Sequence, residues 1–235
     1  MEKTLIISMH GILTDIGRDA DNDWQERFDN WLRADNSESM SNKTLVHLPF
    51  SYGFMRPIMA WATTSLNAIG LSKLVDKWSV AKFSKFIRAA QQAYPGYKVH
   101  VVAHSFGTWV AHETLKDCSD VKVSGLHLFG AVISAHINKN FIDEALMLKQ
   151  VWRCINWCSH EDIVVRFAPP PFGHLGYWGF LTADQADRVM PRPKPFSHLE
   201  LYNNFTKHGH STYFVVQTFK QLMQDIQLIN KLARD

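Results

Sequence analysis

Cysteine is scarce in this sequence, with three residues in 235. Two of them, Cys154 and Cys158, fall four residues apart on one predicted strand, which separates them by about 13 Å at about 3.3 Å per residue. A disulfide needs Cα atoms within about 7 Å of each other, so we expect these two not to pair. Reduced thiols are typical of a cytoplasmic protein, and the sequence therefore predicts that location.

Clusters of charge and long apolar runs are also missing. Charged residues make up 20% of the chain, the net charge is +3, and Lys and Arg are scattered, so no basic surface for nucleic acid is indicated. The apolar run near the amino terminus is too short for a signal peptide. An uncharged stretch at residues 57–72 has 72 − 56 = 16 residues, whereas a membrane helix needs about 20. We therefore expect no nucleic-acid partner and no transmembrane segment.

One stretch in the middle of the chain combines a strand, a sharp turn and a helix. Residues 99–102 favour a strand and residues 108–115 favour a helix. Ser105 lies between them, with Ala103 two residues before it and Gly107 two residues after it. In so tight a turn the side chains at those two positions would collide, so small residues are needed there. The pattern predicts a serine hydroxyl at the apex of a backbone strained by about 1–3 kcal/mol.

Predicted strands and helices alternate along the whole chain. Apolar runs predict six strands, at residues 5–9, 44–48, 99–102, 121–129, 151–158 and 198–202. Helical periodicity predicts helices that begin near residue 24, cover residues 73–94, 108–115 and 140–149, and fill the tail from residue 211. This order is typical of an α/β fold with a doubly wound, mostly parallel six-stranded sheet and helices on both faces. We expect one domain over residues 1–235, with its ligand beyond the carboxyl ends of the strands.

A carboxylate suited to a serine nucleophile follows the fifth predicted strand. The serine needs a base to take its proton, and the base needs a carboxylate to orient it. After a turn of this kind the acid comes next in the chain and the base last. Asp162, which is 162 − 105 = 57 residues after the serine, is preferred to Glu161, Asp184 and Asp187. The reason is that residues 163–165 suit a turn straight after this carboxylate.

Two histidines compete for the role of base in the loop before the last predicted helix. We prefer His210 to His208, because His210 would lie at the start of that helix, where Ser211 can cap the backbone. The two histidines and Asp162 would bind zinc only with a further ligand, and none is evident.

Hydrolysis also needs N–H donors for the oxyanion that forms on the attacked carbonyl group. The residue after the nucleophile, Phe106, supplies one backbone N–H. The other is expected from Ile12, because His10-Gly11 forms a flexible turn after the first strand. A purely structural role for His10 is an equally good interpretation.

Taken together, these stretches resemble the α/β-hydrolase superfamily, in particular its small lipase- and esterase-like serine hydrolases. The resemblance runs from the first strand to the last helix and rests on three motifs, namely Ala103-His104-Ser105-Phe106-Gly107, His10-Gly11 and Gly209-His210-Ser211-Thr212-Tyr213. Ala103 replaces the first glycine of the common Gly-x-Ser-x-Gly form, as in some small lipases. The resemblance implies a Ser105–His210–Asp162 triad and a minimal six-stranded version of the fold.

We therefore predict a serine hydrolase that cleaves carboxylic esters through an acyl-enzyme intermediate. Its substrate would be a small-molecule or lipid-like acyl ester, and it would need no metal or organic cofactor. A thioesterase or amidase would use the same residues, and a non-catalytic binding protein on the same fold is the alternative from another class.

Two segments are candidate flaps or lids, residues 50–72 and residues 159–197. The first is apolar and mostly uncharged, and in the second prolines and glycines alternate with aromatic residues. Connections of that length are usually functional. Our hypothesis is that they form two walls of an apolar acyl pocket, and the structural alternatives are a buried loop with its helix and a folded surface excursion.

Overall fold

The structure is a computed structural model that describes residues 2–11, 24–51, 71–136, 150–168, 172–180, 201–210 and 212–233. The strands in these ranges are β1 Thr4–Met9, β2 Leu45–Phe50, β3 Lys98–His104, β4 Val123–Phe129, β5 Val151–Cys158 and β6 Leu201–Phe205. The helices are α1 Trp24–Asp35, α2 Ser37–Ser41, α3 Leu71–Ala93, α4 Phe106–Asp117, α5 Ile163–Arg166, α6 Leu175–Trp178 and α7 Val216–Leu232. The helix expected at residues 140–149 lies outside the described residues.

The six strands form one parallel sheet in the order β2-β1-β3-β4-β5-β6. The chain returns across the sheet between β2 and β3, so that β1 and β3 become neighbours. Because all strands are parallel, the carboxyl ends of β1, β3 and β5 lie on the same edge of the sheet. The predicted fold class, a six-stranded parallel sheet with helices on both faces, is confirmed.

The two faces of the sheet carry separate apolar cores, as the two-residue period of a strand requires. In β1, Leu5 and Ile7 point to one face and Ile6 points to the other. The first core packs against α3 and α4, and its helical residues include Phe83, Ile87, Val110 and Leu115. The second packs against α1 and α7, and its helical residues include Phe28, Leu32, Leu222 and Ile226. The strands β1, β3, β4 and β5 are buried on both faces, which explains their continuous apolar runs.

Five of the six predicted strands differ from the observed ones by one to three residues at an end, and two of these differences have a clear physical reason. The second was expected to end before Pro49, but β2 runs through it and pairs it with Ser8. Because β2 is an edge strand, the missing N–H of proline costs no ladder bond. The sixth was expected at residues 198–202, whereas β6 covers Leu201–Phe205. Asn203 is polar but belongs to β6, since its side chain accepts hydrogen bonds from the Phe180 N–H and from Asn156.

The last helix begins five residues later than the sequence predicts, at Val216 instead of residue 211. Tyr213 and Phe214 are buried in the loop before it, and Phe214 stacks on Trp24 of α1 with ring centroids 3.9 Å apart. In the sequence, these apolar residues continue the helical periodicity of α7, which is why an earlier helix start was predicted. In the structure they are buried against other elements as part of a loop.

All three cysteines are buried free thiols. Burial raises the pKa of the Cys154 and Cys158 thiols, which disfavours the reactive thiolate. Among the helices of the described ranges, none has both the length and the apolar character needed to cross a membrane.

Two histidines lie between the sheet and α7 without contact with water. Nε2 of His100 on β3 lies 2.9 Å from Asn230 Oδ1, and the Asn230 amide N–H donates to the Thr4 hydroxyl. An amide oxygen can only accept, so Nε2 of His100 carries the proton. Burial lowers the pKa of His100 to about 4 and holds that of His127, beside it on β4, well below its usual value. Both rings are therefore neutral in the folded protein.

We expect the free energy of unfolding to fall as the pH is lowered from about 6.5 to about 4. In that interval the unfolded chain binds protons that these folded histidines do not bind, so acid favours unfolding. Each such histidine contributes up to about 1.4 kcal/mol per pH unit. Urea unfolding measured across this interval checks the slope. His100→Gln, which keeps a partner for Asn230 but cannot titrate, should flatten the slope, and an unchanged slope would contradict the assignment.

Candidate active site

Ser105 occupies a left-handed backbone conformation, with φ 53° and ψ −124°, between the end of β3 and the start of α4. For a residue with a Cβ atom this conformation costs about 1–3 kcal/mol. Hydrogen bonds on both sides stabilise it. The Ser105 N–H donates to the Phe129 carbonyl at 3.0 Å, and the Thr108 hydroxyl donates to the Ser105 carbonyl at 2.6 Å. The serine side chain makes no capping bond to α4, so its hydroxyl remains available for other partners.

Glycines let the loop after β1 approach the serine closely. A Cβ built on Gly107 would lie 3.0 Å from the His10 carbonyl oxygen, and one built on Gly11 would lie 2.7 Å from Ser105 Cβ. Ala103, at the other position where the turn requires a small residue, is fully buried. The structure thus accounts for the small residues of the elbow and adds one from the preceding loop.

His210 lies between the serine and a carboxylate. Its Nε2 is 2.8 Å from Ser105 Oγ, and its Nδ1 is 2.9 Å from one oxygen of Asp162 and 3.0 Å from the other. A carboxylate can only accept, so Nδ1 carries the proton and Nε2 presents a lone pair to the serine hydroxyl. This is the tautomer that a general base needs.

Asp162 is fully buried at the end of β5 and accepts hydrogen bonds from three groups. Besides His210, the Val165 N–H donates to Oδ1 at 3.0 Å and the Tyr213 hydroxyl donates to Oδ2 at 3.1 Å. Burial and the nearby carboxylate raise the pKa of Tyr213, which keeps this hydroxyl protonated and able to donate. These donors offset the cost of burying a carboxylate.

The predicted helix start at His210 is wrong. His210 is part of a loop, and α7 begins six residues later, after Val215, which provides no side-chain cap. Ser211 lies outside the described residues. The loop is fixed instead by packing, since Tyr213 and Phe214 are buried behind it.

The alternatives to the preferred acid and base lie elsewhere. His208 is half-buried, with its ring 6.2 Å from that of Tyr213. Glu161 is exposed, and its N–H donates to the Ser159 hydroxyl. Asp184 and Asp187 lie outside the described residues. The structure brings together Ser105, His210 and Asp162, as the sequence predicts.

Only part of the predicted oxyanion site is described. Phe106 is the first residue of α4, so its backbone N–H lies at the positive end of a helix of 12 residues, directly after the serine. Ile12, the other predicted donor, lies outside the described residues. His10 is buried, and its Nδ1–H donates to the Gly11 carbonyl at 2.6 Å, which fixes the turn before Ile12.

A second Ser–His–Asp chain occurs in the protein, and its serine is inaccessible. Ser8 Oγ is 2.8 Å from His47 Nε2, and His47 Nδ1 is 3.0 Å from Asp29 Oδ1. Ser8 lies within β1 and is fully buried, and Gln25 of α1 also donates to its hydroxyl. This chain connects α1 to the edge of the sheet.

Sequence reasoning missed three residues that shape the site. Tyr213 binds the acid through its hydroxyl, and Thr108 joins the elbow to the loop after β4 by accepting the Val132 N–H. Gly130 has φ 53°, and a Cβ there would lie 2.9 Å from Asp162 Oδ2. The position of Gly130 directly after a predicted strand was a usable signal. The contacts of Tyr213 and Thr108 depend on residues distant in sequence, and no local pattern indicates them.

Aromatic rings cluster beside the nucleophile. The ring of Phe106 stacks on that of Trp109 at 5.6 Å, and Phe172 contacts both at 6.1 Å. Phe172 begins a segment, residues 172–180, that is bonded to the loop after β4 through the N–H groups of Gly173, Leu175 and Gly176. The rest of the two candidate lid segments is described only at residues 50–51, 71–72 and 159–168.

No group of three or more His, Cys, Asp or Glu side chains within the described ranges is arranged to hold a metal ion.

Gly11→Ala should slow the reaction of Ser105 with a fluorophosphonate probe by at least about tenfold, because the new methyl group would overlap Ser105 Cβ and displace the turn. The matched control is Gly209→Ala, where the nearest atom to the new methyl group is 3.8 Å away. Labelling rates are compared by gel fluorescence at equal folded fraction. Equal rates for the two variants would show that the turn does not pack against the serine.

Comparison with known proteins agrees with this architecture. Residues 58–148 match the model of a family described as an alpha/beta hydrolase of unknown function, DUF900. No curated protein sequence matches the chain.

Three solved structures that match this chain share little sequence with it. An uncharacterized protein from Bacillus cereus is 12% identical with a TM-score of 0.54, and the match covers 99% of this chain and 61% of that protein. This chain therefore spans about three fifths of the length of that relative. A Pectobacterium atrosepticum protein assigned as a yden-like hydrolase is 14% identical, with 96% and 92% covered and a TM-score of 0.43. A Rickettsia typhi protein assigned as a hydrolase is 9% identical, with 97% and 87% covered and a TM-score of 0.44. The parallel six-stranded sheet and the family-model match over residues 58–148 are consistent with an α/β-hydrolase fold.

Proposed function

We propose that this protein is a serine hydrolase that cleaves carboxylic esters, with Ser105 as nucleophile, His210 as general base and Asp162 as the carboxylate that orients the base. The observation that carries the proposal is the unbroken hydrogen-bonded chain from the buried carboxylate to the serine hydroxyl, with distances of 2.9 Å and 2.8 Å. The serine lies on a strained turn at the carboxyl edge of the sheet, where ligands of parallel sheets bind. The buried Ser8 chain has the same chemistry but no access to substrate.

The proposed reaction has two halves. In the first, His210 Nε2 takes the proton of Ser105 Oγ as the oxygen attacks the acyl carbon, and the N–H groups of Phe106 and Ile12 stabilise the oxyanion. His210 then gives the proton to the leaving alcohol, and the acyl group remains on the serine. In the second half, His210 takes a proton from water as the water oxygen attacks the acyl carbon. His210 then returns that proton to Ser105 Oγ as the bond between the acyl carbon and the serine oxygen breaks, and the carboxylic acid leaves. The side chains present supply each proton transfer, and the proposal includes no metal or organic cofactor.

The aromatic cluster next to the nucleophile supports an apolar acyl group as substrate. Phe106 and Trp109 lie in the first turn of α4, directly after Ser105, and the ring of Phe172 packs against both of theirs. Such a surface binds acyl chains through buried area, at about 0.8 kcal/mol for each methylene group. Residues 50–72 and 159–197 complete this pocket as flaps in our proposal, within a single domain of residues 1–235. The cytoplasm remains our proposed location, supported by the three free thiols.

A thioesterase or amidase is the second candidate within the same chemistry, since the triad acts on the acyl carbon in each case. A binding protein without catalysis is the third. The intact hydrogen-bonded chain favours catalysis, because binding alone does not need a base positioned 2.8 Å from the hydroxyl.

Ser105→Ala should abolish fluorophosphonate labelling, and His210→Ala should lower aryl-ester hydrolysis by about 10⁴-fold, because the proton acceptor is lost. Asp162→Asn should cause a loss of similar size through the wrong histidine tautomer. Labelling and steady-state hydrolysis of a short aryl ester measure these effects.

His208→Ala is the matched control for the base, because it removes the other histidine of the same loop. It should keep activity within about threefold of the unmodified protein, because His210 makes the hydrogen bonds to Asp162 and Ser105. Loss of activity in His208→Ala alone would transfer the role of base to His208. If Ser105→Ala is labelled as strongly as the unmodified protein, the assignment of Ser105 as nucleophile is wrong.

Trp109→Ala should change the preference for acyl length. Removing this ring takes away apolar contact area, so kcat/KM for medium-chain aryl esters should fall by about tenfold more than for acetate esters. The control is Trp78→Ala, which removes an exposed ring on α3. A series of aryl esters of increasing chain length provides the measurement. Equal losses for all chain lengths would exclude this cluster as part of the acyl site.

A further inference from the structure

His104, the residue directly before the nucleophile, contacts the loop that carries the base. Its ring is fully buried, and its centroid lies 4.8 Å from that of His210. The ring of Phe214 meets it edge-on at 5.3 Å and that of Tyr213 at 6.3 Å. On the other side, a Cβ built on Gly11 would lie 3.6 Å from His104 Nδ1. One imidazole therefore lies between the base loop and the turn before the predicted oxyanion donor.

One hydrogen bond joins this ring to the base itself. His104 Nε2 lies 2.8 Å from the backbone carbonyl oxygen of His210. A carbonyl can only accept, so His104 donates from Nε2–H, and its Nδ1 carries a lone pair. Nδ1 is buried and has no hydrogen-bond partner in the structure of the described residues. The ring therefore leaves one buried nitrogen unsatisfied, which is costly, while the opposite nitrogen donates to the base loop.

The ring is also uncharged. Burial, and next the positive charge that His210 would carry, hold the pKa of His104 well below its usual range. A neutral donor matters at this position because the base becomes an imidazolium during the proposed reaction. A lysine or arginine donor in the same place would oppose that charge at short distance.

We propose that His104 is a positioning residue, whose Nε2–H fixes the backbone of His210 so that the imidazole stays aligned between Asp162 and Ser105. The inference rests on the proposed function for its catalytic consequence, although the hydrogen bond can be tested without it. His104 is adjacent to Ser105 in the chain, so the rigid elbow and the base loop are joined by a link of one residue. A shift of the base by about 1 Å is enough to cost about 100-fold in rate.

The test compares three variants of β3. His104→Leu removes the Nε2–H donor and fills the buried space with an apolar side chain. His104→Gln replaces the Nε2–H with an amide N–H. His100→Leu is the matched control, because it removes a second buried, neutral, donating histidine from the same strand. Labelling by a fluorophosphonate and hydrolysis of a short aryl ester are measured at equal folded fraction, which urea unfolding determines.

We expect His104→Leu to lower kcat about 10- to 100-fold with little change in KM, because the base is misaligned and the substrate surface is intact. His104→Gln should recover activity to within about fivefold of the unmodified protein, since the donor is restored. His100→Leu should lower stability but change the labelling rate by less than about threefold. Equal losses of activity in His104→Leu and His100→Leu, or no recovery in His104→Gln, would overturn the proposal.

Proton NMR provides a readout that does not depend on catalysis. The Nδ1–H of His210, held by the Asp162 carboxylate, should give a downfield resonance protected from exchange in the unmodified protein. That resonance should broaden or disappear in His104→Leu and persist in His104→Gln and His100→Leu. If the unmodified protein is not labelled at Ser105, the proposed function fails, and the NMR comparison still decides the positioning role. A resonance unchanged in His104→Leu would refute that role.

Discussion

The strained backbone of Ser105 is the constraint on which the rest of the site depends. A left-handed φ at a residue with a Cβ atom is held only where surrounding bonds and packing outweigh its cost. Here the Ser105 N–H binds the end of β4, and Thr108 joins the Ser105 carbonyl to the loop that follows β4. The close approach of Gly11 excludes other side chains from this space. Hydrogen bonds to the sheet and to the loop after β4 thus stabilise the strained turn that keeps the Ser105 hydroxyl at the edge of the sheet.

The acid and the base have the opposite requirement, because they need burial and partners more than strain. Asp162 is fully buried, and its oxygens accept hydrogen bonds from the Val165 N–H, the Tyr213 hydroxyl and His210. The base loop has no regular secondary structure of its own. It is held from behind by Phe214, which stacks on Trp24, and from the elbow by His104. Helix α1, through Trp24, therefore helps to hold the loop that carries the base without contacting the reacting groups.

The two Ser–His–Asp chains show why a residue set alone does not define a catalytic site. Both chains have hydrogen bonds of about the same length. Ser8 lies within a central strand with Gln25 donating to its hydroxyl, so its oxygen is fully occupied and sealed from substrate. Ser105 lies beyond the strand end, on a turn that presents the hydroxyl. Position relative to the sheet edge separates a structural chain from a candidate catalytic one.

The sequence by itself determined the fold class and the order of nucleophile, acid and base along the chain. The periodicity of apolar residues and the small residues around Ser105 are local signals that a sequence shows directly. β5 was predicted at its observed bounds, since a continuous apolar run is typical of a strand buried on both faces. Tertiary structure alone decided the limits of β6 and α7, where Asn203 and Tyr213 have partners distant in the chain. It also decided which histidine meets Asp162, and that His104 contacts the base loop. These contacts join residues 48 and 106 positions apart, and chain packing, which leaves no local pattern, brings them together.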